Sequence, residues 1–185
     1  MTVLDFILIP SYEKDAFTFR FQSYLEEIDL LVGESVDPNF QHRYPEYDLY
    51  FHEDLNKQPF RIFAAKENVG FFFLNLINPL SFPKQIPIIL SPNRKVASLT
   101  DFYIFPEFRN RGLAWGFYDA IIRLARDYDW DVCWECDVRN KPANIFFEKL
   151  LDRLKKDFIF EYRKDKYIKG DNLSREFNFY QVKFK

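Results

Sequence analysis

The clearest structural signal of this chain lies between Tyr103 and Trp115, in Tyr-Ile-Phe-Pro-Glu-Phe-Arg-Asn-Arg-Gly-Leu-Ala-Trp. An apolar run ends at Pro106, a short polar turn follows, and an amphipathic stretch begins at Gly112. Apolar residues then recur at three- and four-residue steps, which predicts a helix over 112–128. The positions in this apolar stripe are Leu113, Phe117, Ile121, Leu124 and Tyr128. The stretch therefore predicts a strand, a tight turn and a helix in direct succession.

The turn and the first helical residues suit an anion. The first amides of a helix have no partner within the helix, and the helix dipole adds partial positive charge there. Gly112 allows close approach to the backbone, and Arg109 and Arg111 add side-chain charge. The pattern is neither a Walker loop nor the dinucleotide-binding glycine pattern. We expect an anion of the size of a pyrophosphate at residues 110–115.

Further predicted elements lie on both sides of this stretch. The order is one strand, one or two helices, three strands, a helix, a strand, a helix and two strands. The predicted strands are 3–10, 60–65, 69–77, 95–105, 132–138, 158–167 and 177–184, and helices are predicted from Ser11 to about 31, over 112–128 and after Asn140. Such an order favours a mixed α/β layer fold with helices covering a central sheet. We expect residues 1–185 to form a single domain.

Composition and charge exclude several classes of protein. The 185 residues carry a net charge of −2 and 20% aromatic residues, so the core should be built largely from rings. The first 60 residues hold four basic and twelve acidic side chains. Either this acidic part faces a cationic partner, or it only solvates helix surfaces. No basic stripe for nucleic acid and no apolar run long enough for a membrane is present. Because the N-terminus does not resemble a signal peptide, we expect a cytoplasmic location.

Two cysteines form the spacing Cys133-Trp-Glu-Cys136. A redox motif of this kind begins a helix, whereas this one falls in a predicted strand. Residues three apart on a strand point to opposite faces. We therefore interpret both as buried structural cysteines rather than as a redox or metal site.

Two motifs resemble the GNAT superfamily of acetyl-CoA-dependent N-acetyltransferases. Arg109-Asn-Arg-Gly112-Leu-Ala114 resembles its motif A, with Pro106 upstream, and Val138-Arg-Asn140-Lys-Pro-Ala143 resembles its motif B. The predicted element order agrees with that fold. The resemblance implies a central mixed, mostly antiparallel sheet with helices on both faces, splayed between the fourth and fifth strands.

The resemblance also implies where acetyl-CoA binds. The amides of residues 110–115 should hold the pyrophosphate, and the backbone of residues 102–104 should pair with the pantetheine. Asn140 should contact the pantetheine arm, while Ala143 and Phe147 flank the thioester. The implied cofactor residues are Phe102, Tyr103, Ile104, Arg109, Asn110, Arg111, Gly112, Leu113, Ala114, Trp115, Asn140, Ala143 and Phe147. Gly112 could instead be only a helix-start glycine, and Asn140 only a helix N-cap.

The catalytic groups are less well defined. Family members with a tyrosine general acid carry it at the position of Phe147, which cannot donate a proton. Asp101 and Glu135, on the two central strands, are candidate general bases for the acceptor amine. Asp101 could instead be a carboxylate satisfied by an arginine or a backbone amide. A bulge, common in this strand of the family, would change which face Asp101 points to.

We expect acetyl transfer from acetyl-CoA to a primary amine of a small cationic acceptor or of a peptide or protein, by direct attack in a ternary complex. The alternative is a non-catalytic acyl-CoA-binding or interaction module that keeps the fold. We expect no metal and no nucleic-acid or membrane partner. We also expect a monomer or homodimer, with residues 78–94 as a lid over the acceptor.

Overall fold

The computed structural model describes residues 3–35, 44–52, 56–78, 94–157, 160–169 and 175–184. The lid expected at 78–94 falls almost wholly outside these ranges. The described strands are β1 (Leu4–Leu8), β2 (Lys57–Ala64), β3 (Glu67–Ile77), β4 (Val96–Ile104), β5 (Asp131–Asp137), β6 (Phe160–Lys169) and β7 (Arg175–Phe184). They form one sheet in the order β1–β2–β3–β4–β5–β7–β6. Only β4 and β5 pair in parallel, which confirms the mixed, mostly antiparallel sheet.

Helices cover both faces of this sheet, as expected. They are α1 (Lys14–Val32), α2 (Leu113–Asp127) and α3 (Lys141–Asp157). A short 3₁₀ helix from Ser11 to Glu13 precedes α1, so the α-helix begins three residues later than predicted. Within the described ranges, no helix has both the length and the apolar character needed to cross a bilayer.

Rings build both halves of the core. On the α1 face, Phe21 stacks on Phe73 with centroids 5.0 Å apart. On the face covered by α2 and α3, Phe102 stacks on Phe117 at 4.3 Å. The aromatic content of the sequence thus becomes two separate ring clusters, one on each side of the sheet.

The predicted apolar stripe of α2 is wrong at its C-terminal end. Leu124 and Tyr128 are 44% and 61% exposed, whereas Tyr118, Ile122 and Ala125 are buried. The helix lies against the sheet and also contacts α3, where the ring of Phe146 lies 5.7 Å from that of Tyr118. Two packing partners bury a different arc of the helix from the single stripe that the sequence pattern suggests.

The cysteines are free and buried, which confirms their structural interpretation. Cys133 packs with Val96 and Phe179, while Cys136 belongs to the large cluster under α2 and α3. They therefore lie on opposite faces of β5, as residues three apart on a strand must.

A gap opens between β4 and β5 in the middle of the sheet. The two strands pair only over Val96–Leu99 and Asp131–Trp134, although each continues for several residues beyond. On its other side β4 stays paired with β3, with one register shift that leaves Thr100 as an extra residue between Leu99 and Asp101. The splay that the family resemblance implied is thus present at the expected strands.

Candidate active site

The N-terminus of α2 has free backbone donors. Asn110 and Gly112 both adopt left-handed conformations, with φ of 60° and 75°. The first backbone bond of the helix runs from the Gly116 amide to the Gly112 carbonyl at 3.2 Å, and no side chain caps the helix. Among the described residues, the amides from Gly112 to Trp115 have no recorded acceptor. This arrangement leaves backbone donors that suit an anion at the N-terminus of the helix.

A shallow depression of about 330 Å³ lies beside these amides. Two arginines border it: Arg111 lies over the Phe108 ring, and Arg153 of α3 lies over the Trp115 ring. The residues that line the depression are Leu4, Arg111, Gly112, Leu113, Trp115, Gly116 and Arg153. The sequence reasoning missed Arg153, because only the packing of α3 beside α2 brings it to this site.

Arg109 does not point its charge into the depression. Its guanidinium donates two hydrogen bonds to the carboxylate of Glu27, at 2.6 and 2.9 Å, and its Nε donates to the Ile104 carbonyl at 2.9 Å. The same carboxylate accepts a hydrogen bond of 2.5 Å from the Tyr103 hydroxyl. These bonds lower the pKa of Glu27, and burial with the neighbouring carboxylate raises the pKa of Tyr103 to about 12. In this structure Arg109 links α1 to the turn, and its contact with a phosphate stays a prediction.

The backbone of residues 102–104 lies along the gap. On one side these residues pair with Gly70, Phe71 and Phe72 of β3. On the other side β4 has no described pairing with β5 beyond Leu99. This edge of β4 is therefore open to an extended ligand that adds as a strand, as the sequence analysis expected for the pantetheine.

Asp101 lies on the α1 side of the sheet, next to the gap. The extra residue at Thr100 turns both side chains to this face, where Thr100 hydrogen-bonds the Tyr50 hydroxyl at 2.8 Å. Asp101 is 7% exposed and accepts hydrogen bonds from the Tyr24 hydroxyl, at 2.8 Å, and from the Tyr44 hydroxyl. Burial and the Asp101 charge raise the pKa of both tyrosines well above the ordinary value, so both stay protonated donors.

Glu135 shares the α1 face with Asp101, on the opposite side of the gap. It pairs in register with Phe179, which packs with Cys133 on that face. Glu135 is only partly buried. The structure therefore places both candidate bases on the two strands that flank the gap, and on one side of it.

Asn140 acts as a helix cap. Its Oδ1 accepts a hydrogen bond of 3.1 Å from the Ala143 amide at the start of α3. Capping occupies the side-chain oxygen, and the side-chain NH₂ is the part that remains to meet a ligand.

A buried polar network joins the start of α3 to the end of β5 and to β7. The sequence pattern did not predict it. Asn144, one turn after Asn140, donates from Nδ2 to the carbonyls of Asp137 and Asn140, at 2.8 Å each. Its Oδ1 accepts from Asn178 Nδ2 at 2.5 Å and from the Tyr180 hydroxyl at 2.9 Å. The repeat of asparagine four residues apart was the available signal, but burial against β7 is a tertiary effect.

Phe147 is buried among aromatic rings. Its ring centroid lies 5.4 Å from Tyr118, 5.5 Å from Trp134 and 5.3 Å from Tyr180. The position where family members carry a catalytic tyrosine is thus fully packed, and it lies in direct contact with two other tyrosines.

Comparison with known proteins agrees with this geometry. The model of the Acetyltransferase (GNAT) family matches residues 25–152. No curated protein sequence matches the chain.

Several solved structures share the fold. An acetyltransferase from Thermus thermophilus is 19% identical, with 98% of each chain covered and a TM-score of 0.59. The Salmonella typhimurium acetyltransferase that modifies the N-terminal serine of ribosomal protein L7/L12 is 14% identical, covering 100% of this chain and 97% of its own, with a TM-score of 0.58. Arabidopsis thaliana NAA60 in complex with acetyl-CoA is 12% identical, covering 99% and 100%, with a TM-score of 0.57. At these identities the likeness shows the fold.

Proposed function

Because the chain belongs to the GNAT family of acetyltransferases, we propose that it transfers an acetyl group from acetyl-CoA to a primary amine of a small cationic acceptor or of a peptide or protein. One observation carries this proposal. The gap between β4 and β5 has uncapped amides of α2 at one end and the buried carboxylate of Asp101 beside it on the α1 face. A site for a long phosphorylated ligand and a group able to accept a proton thus meet in one place.

The residues present fit acetyl-CoA as a co-substrate. The amides of residues 110–115 and the flanking charges of Arg111 and Arg153 suit the pyrophosphate. The open edge of residues 102–104 suits the pantetheine amides. Asn140 and Ala143 lie at the start of α3, directly after the end of β5. Arg109 stabilises the turn before α2 through its hydrogen bonds to Glu27 of α1.

The chemistry requires a neutral amine that attacks the thioester carbonyl. Asp101 is the side chain we assign to accept the amine proton, and Glu135 adds negative charge on the same face to attract a cationic acceptor. Two tyrosine hydroxyls hold the Asp101 carboxylate in place, so its position does not depend on the substrate. Positioned proton transfer of this kind typically contributes ~10²–10⁴-fold to the rate.

The acceptor side of the gap is built from the acidic N-terminal part of the chain. Tyr24 and Tyr44, which contact Asp101, both come from the first 60 residues, where acidic side chains outnumber basic ones three to one. This charge favours an amine carried by a cationic molecule. A protein N-terminus is the second acceptor class, since the similar Salmonella enzyme modifies one.

A thiol-release assay with acetyl-CoA and a panel of amines tests the proposal. The panel should contain a polyamine, an aminoglycoside, free amino acids and peptides with free N-termini. We expect turnover with at least one cationic amine, and calorimetric binding of CoA. Tight CoA binding without turnover on any amine would favour the non-catalytic module, and absence of CoA binding would overturn the site.

A further inference from the structure

The ring of Tyr118 lies across the gap on the side opposite to Asp101. Its centroid is 5.3 Å from Phe102 on β4 and 5.4 Å from Trp134 on β5. Trp134 is the last residue of β5 that pairs with β4. Tyr118 thus spans the two strands at the point where they separate, which is where the reacting end of a ligand lying along β4 would arrive.

No hydrogen bond joins the Tyr118 hydroxyl to another described residue, and this oxygen is not one of the solvent-inaccessible polar atoms without a partner, although the residue as a whole is only 1% exposed. The neighbouring hydroxyl of Tyr180 is different, because it donates to Asn144 at 2.9 Å. A hydroxyl that still reaches solvent can exchange a water molecule for an acceptor on a ligand, and no buried polar group is then left unpaired. The protein therefore keeps a hydroxyl at the gap whose partner can come from a bound molecule.

The surroundings keep this hydroxyl protonated. Burial raises the pKa of Tyr118 well above the ordinary value, and the nearby Cys136 thiol raises it further. The same thiol also raises the pKa of Tyr24, which lies on the α1 side and contacts Asp101. Cys136 thus lies near tyrosine hydroxyls from both faces of the sheet.

We propose that the Tyr118 hydroxyl donates the proton to the sulfur of departing CoA, in place of the tyrosine that Phe147 replaces. This assignment rests on the proposed acetyl transfer. The amine nitrogen bonds to the carbonyl carbon, the C–S bond breaks with its electron pair on sulfur, and sulfur takes the Tyr118 proton. Water returns a proton to the phenolate, while the amine proton leaves through Asp101, so one amine and one thioester give one amide and one thiol. The ring centroids of Phe147 and Tyr118 are 5.4 Å apart, so the two side chains lie next to each other in the same part of the site.

The variant Tyr118→Phe removes only the hydroxyl. We expect kcat to fall by about 10², at the low end for acid–base catalysis because a thiolate leaves readily, with little change in the KM for acetyl-CoA. Because the lost hydroxyl has no hydrogen bond to another described residue, the free energy of unfolding should stay the same or rise slightly, which separates this effect from misfolding. Tyr128→Phe is the matched control and should keep wild-type kcat, because Tyr128 lies directly after the C-terminus of α2, is exposed and stacks on Trp130.

Rescue provides the sharper test. The double variant Tyr118→Phe/Phe147→Tyr restores a hydroxyl one ring away, and we expect it to recover a large part of kcat. Wild-type kcat in Tyr118→Phe, or no recovery in the double variant, would overturn the assignment. The proposed function fails separately, since its failure appears as absent turnover in the wild-type protein with every amine of the panel.

Discussion

Glu27 of α1 and Arg109 of the turn before α2 are joined by two hydrogen bonds, of 2.6 and 2.9 Å, across 82 residues of sequence. Arg109 also lies over the ring of Tyr103, whose hydroxyl bonds the same carboxylate. This contact joins the turn, which presents the α2 amides, to α1. That helix covers the opposite face of the sheet. Arg109 is therefore a positioning residue in this structure.

The Glu27–Arg109 pair should contribute modestly to stability, and the contribution should depend on pH. Both side chains are about one-third exposed, so a double-mutant cycle with Glu27→Gln and Arg109→Lys should give a coupling of roughly 1 kcal/mol or less by urea unfolding at pH 7. The folded pKa of Glu27 is lowered, so this stability is present above the unfolded value of about 4.3 and is lost as pH falls through the lower folded pKa. A coupling that persists unchanged at pH 2.5 would contradict this explanation.

Gly112 should be required for cofactor binding rather than for folding. Gly112→Glu places a carboxylate where the pyrophosphate is expected, and we predict a loss of CoA affinity of at least ~100-fold, about 2.7 kcal/mol, measured by calorimetry. Gly33→Glu is a matched control. Both glycines have φ near 75° and no atom within 4 Å of an added Cβ, so the backbone strain of about 1–2 kcal/mol is shared. Equal loss of affinity in the two variants would show that strain, not charge, is responsible.

Asp101 should carry the general-base role, and Glu135 should not. We expect Asp101→Asn to lower kcat by ~10²–10⁴ and to remove the acidic limb of the pH profile, with nearly unchanged affinity for acetyl-CoA. Glu135→Gln is expected to raise the KM of a cationic acceptor and to keep the limb, because it acts through charge alone. Wild-type rates and an unchanged limb in Asp101→Asn would exclude this carboxylate as the base.

The tyrosines that hold Asp101 should matter for the rate. Each hydroxyl donates a hydrogen bond to the carboxylate and so fixes its position. Removal of one donor, in Tyr24→Phe or Tyr44→Phe, should therefore lower kcat by about 10-fold, which corresponds to the loss of one hydrogen bond of roughly 1.4 kcal/mol. Tyr50→Phe is the control, because that hydroxyl bonds Thr100 instead. Wild-type kcat in both variants, or an equal loss in all three, would argue against this network.

The order of elements follows from the sequence alone, and the motifs around Gly112 and Asn140 also predict an anion site at the start of α2. These are local properties: periodicity, turn residues and helix ends depend on neighbours along the chain. For the same reason the burial of both cysteines could be predicted from their spacing on a strand.

Which side chains face the gap depends on contacts between distant parts of the chain. By strand alternation from Leu99, Asp101 would point to the side of α2 and α3, but the bulge at Thr100 turns it toward Tyr24 and Tyr44. Arg109 matched a phosphate-binding motif, yet a carboxylate from α1 lies within reach and takes its hydrogen bonds. Tyr118 fell outside the apolar stripe assigned to α2, and contact with two strands and with α3 buries it at the gap. Each of these outcomes depends on which residue from a distant part of the sequence packs against the side chain. Local sequence patterns do not specify such tertiary contacts.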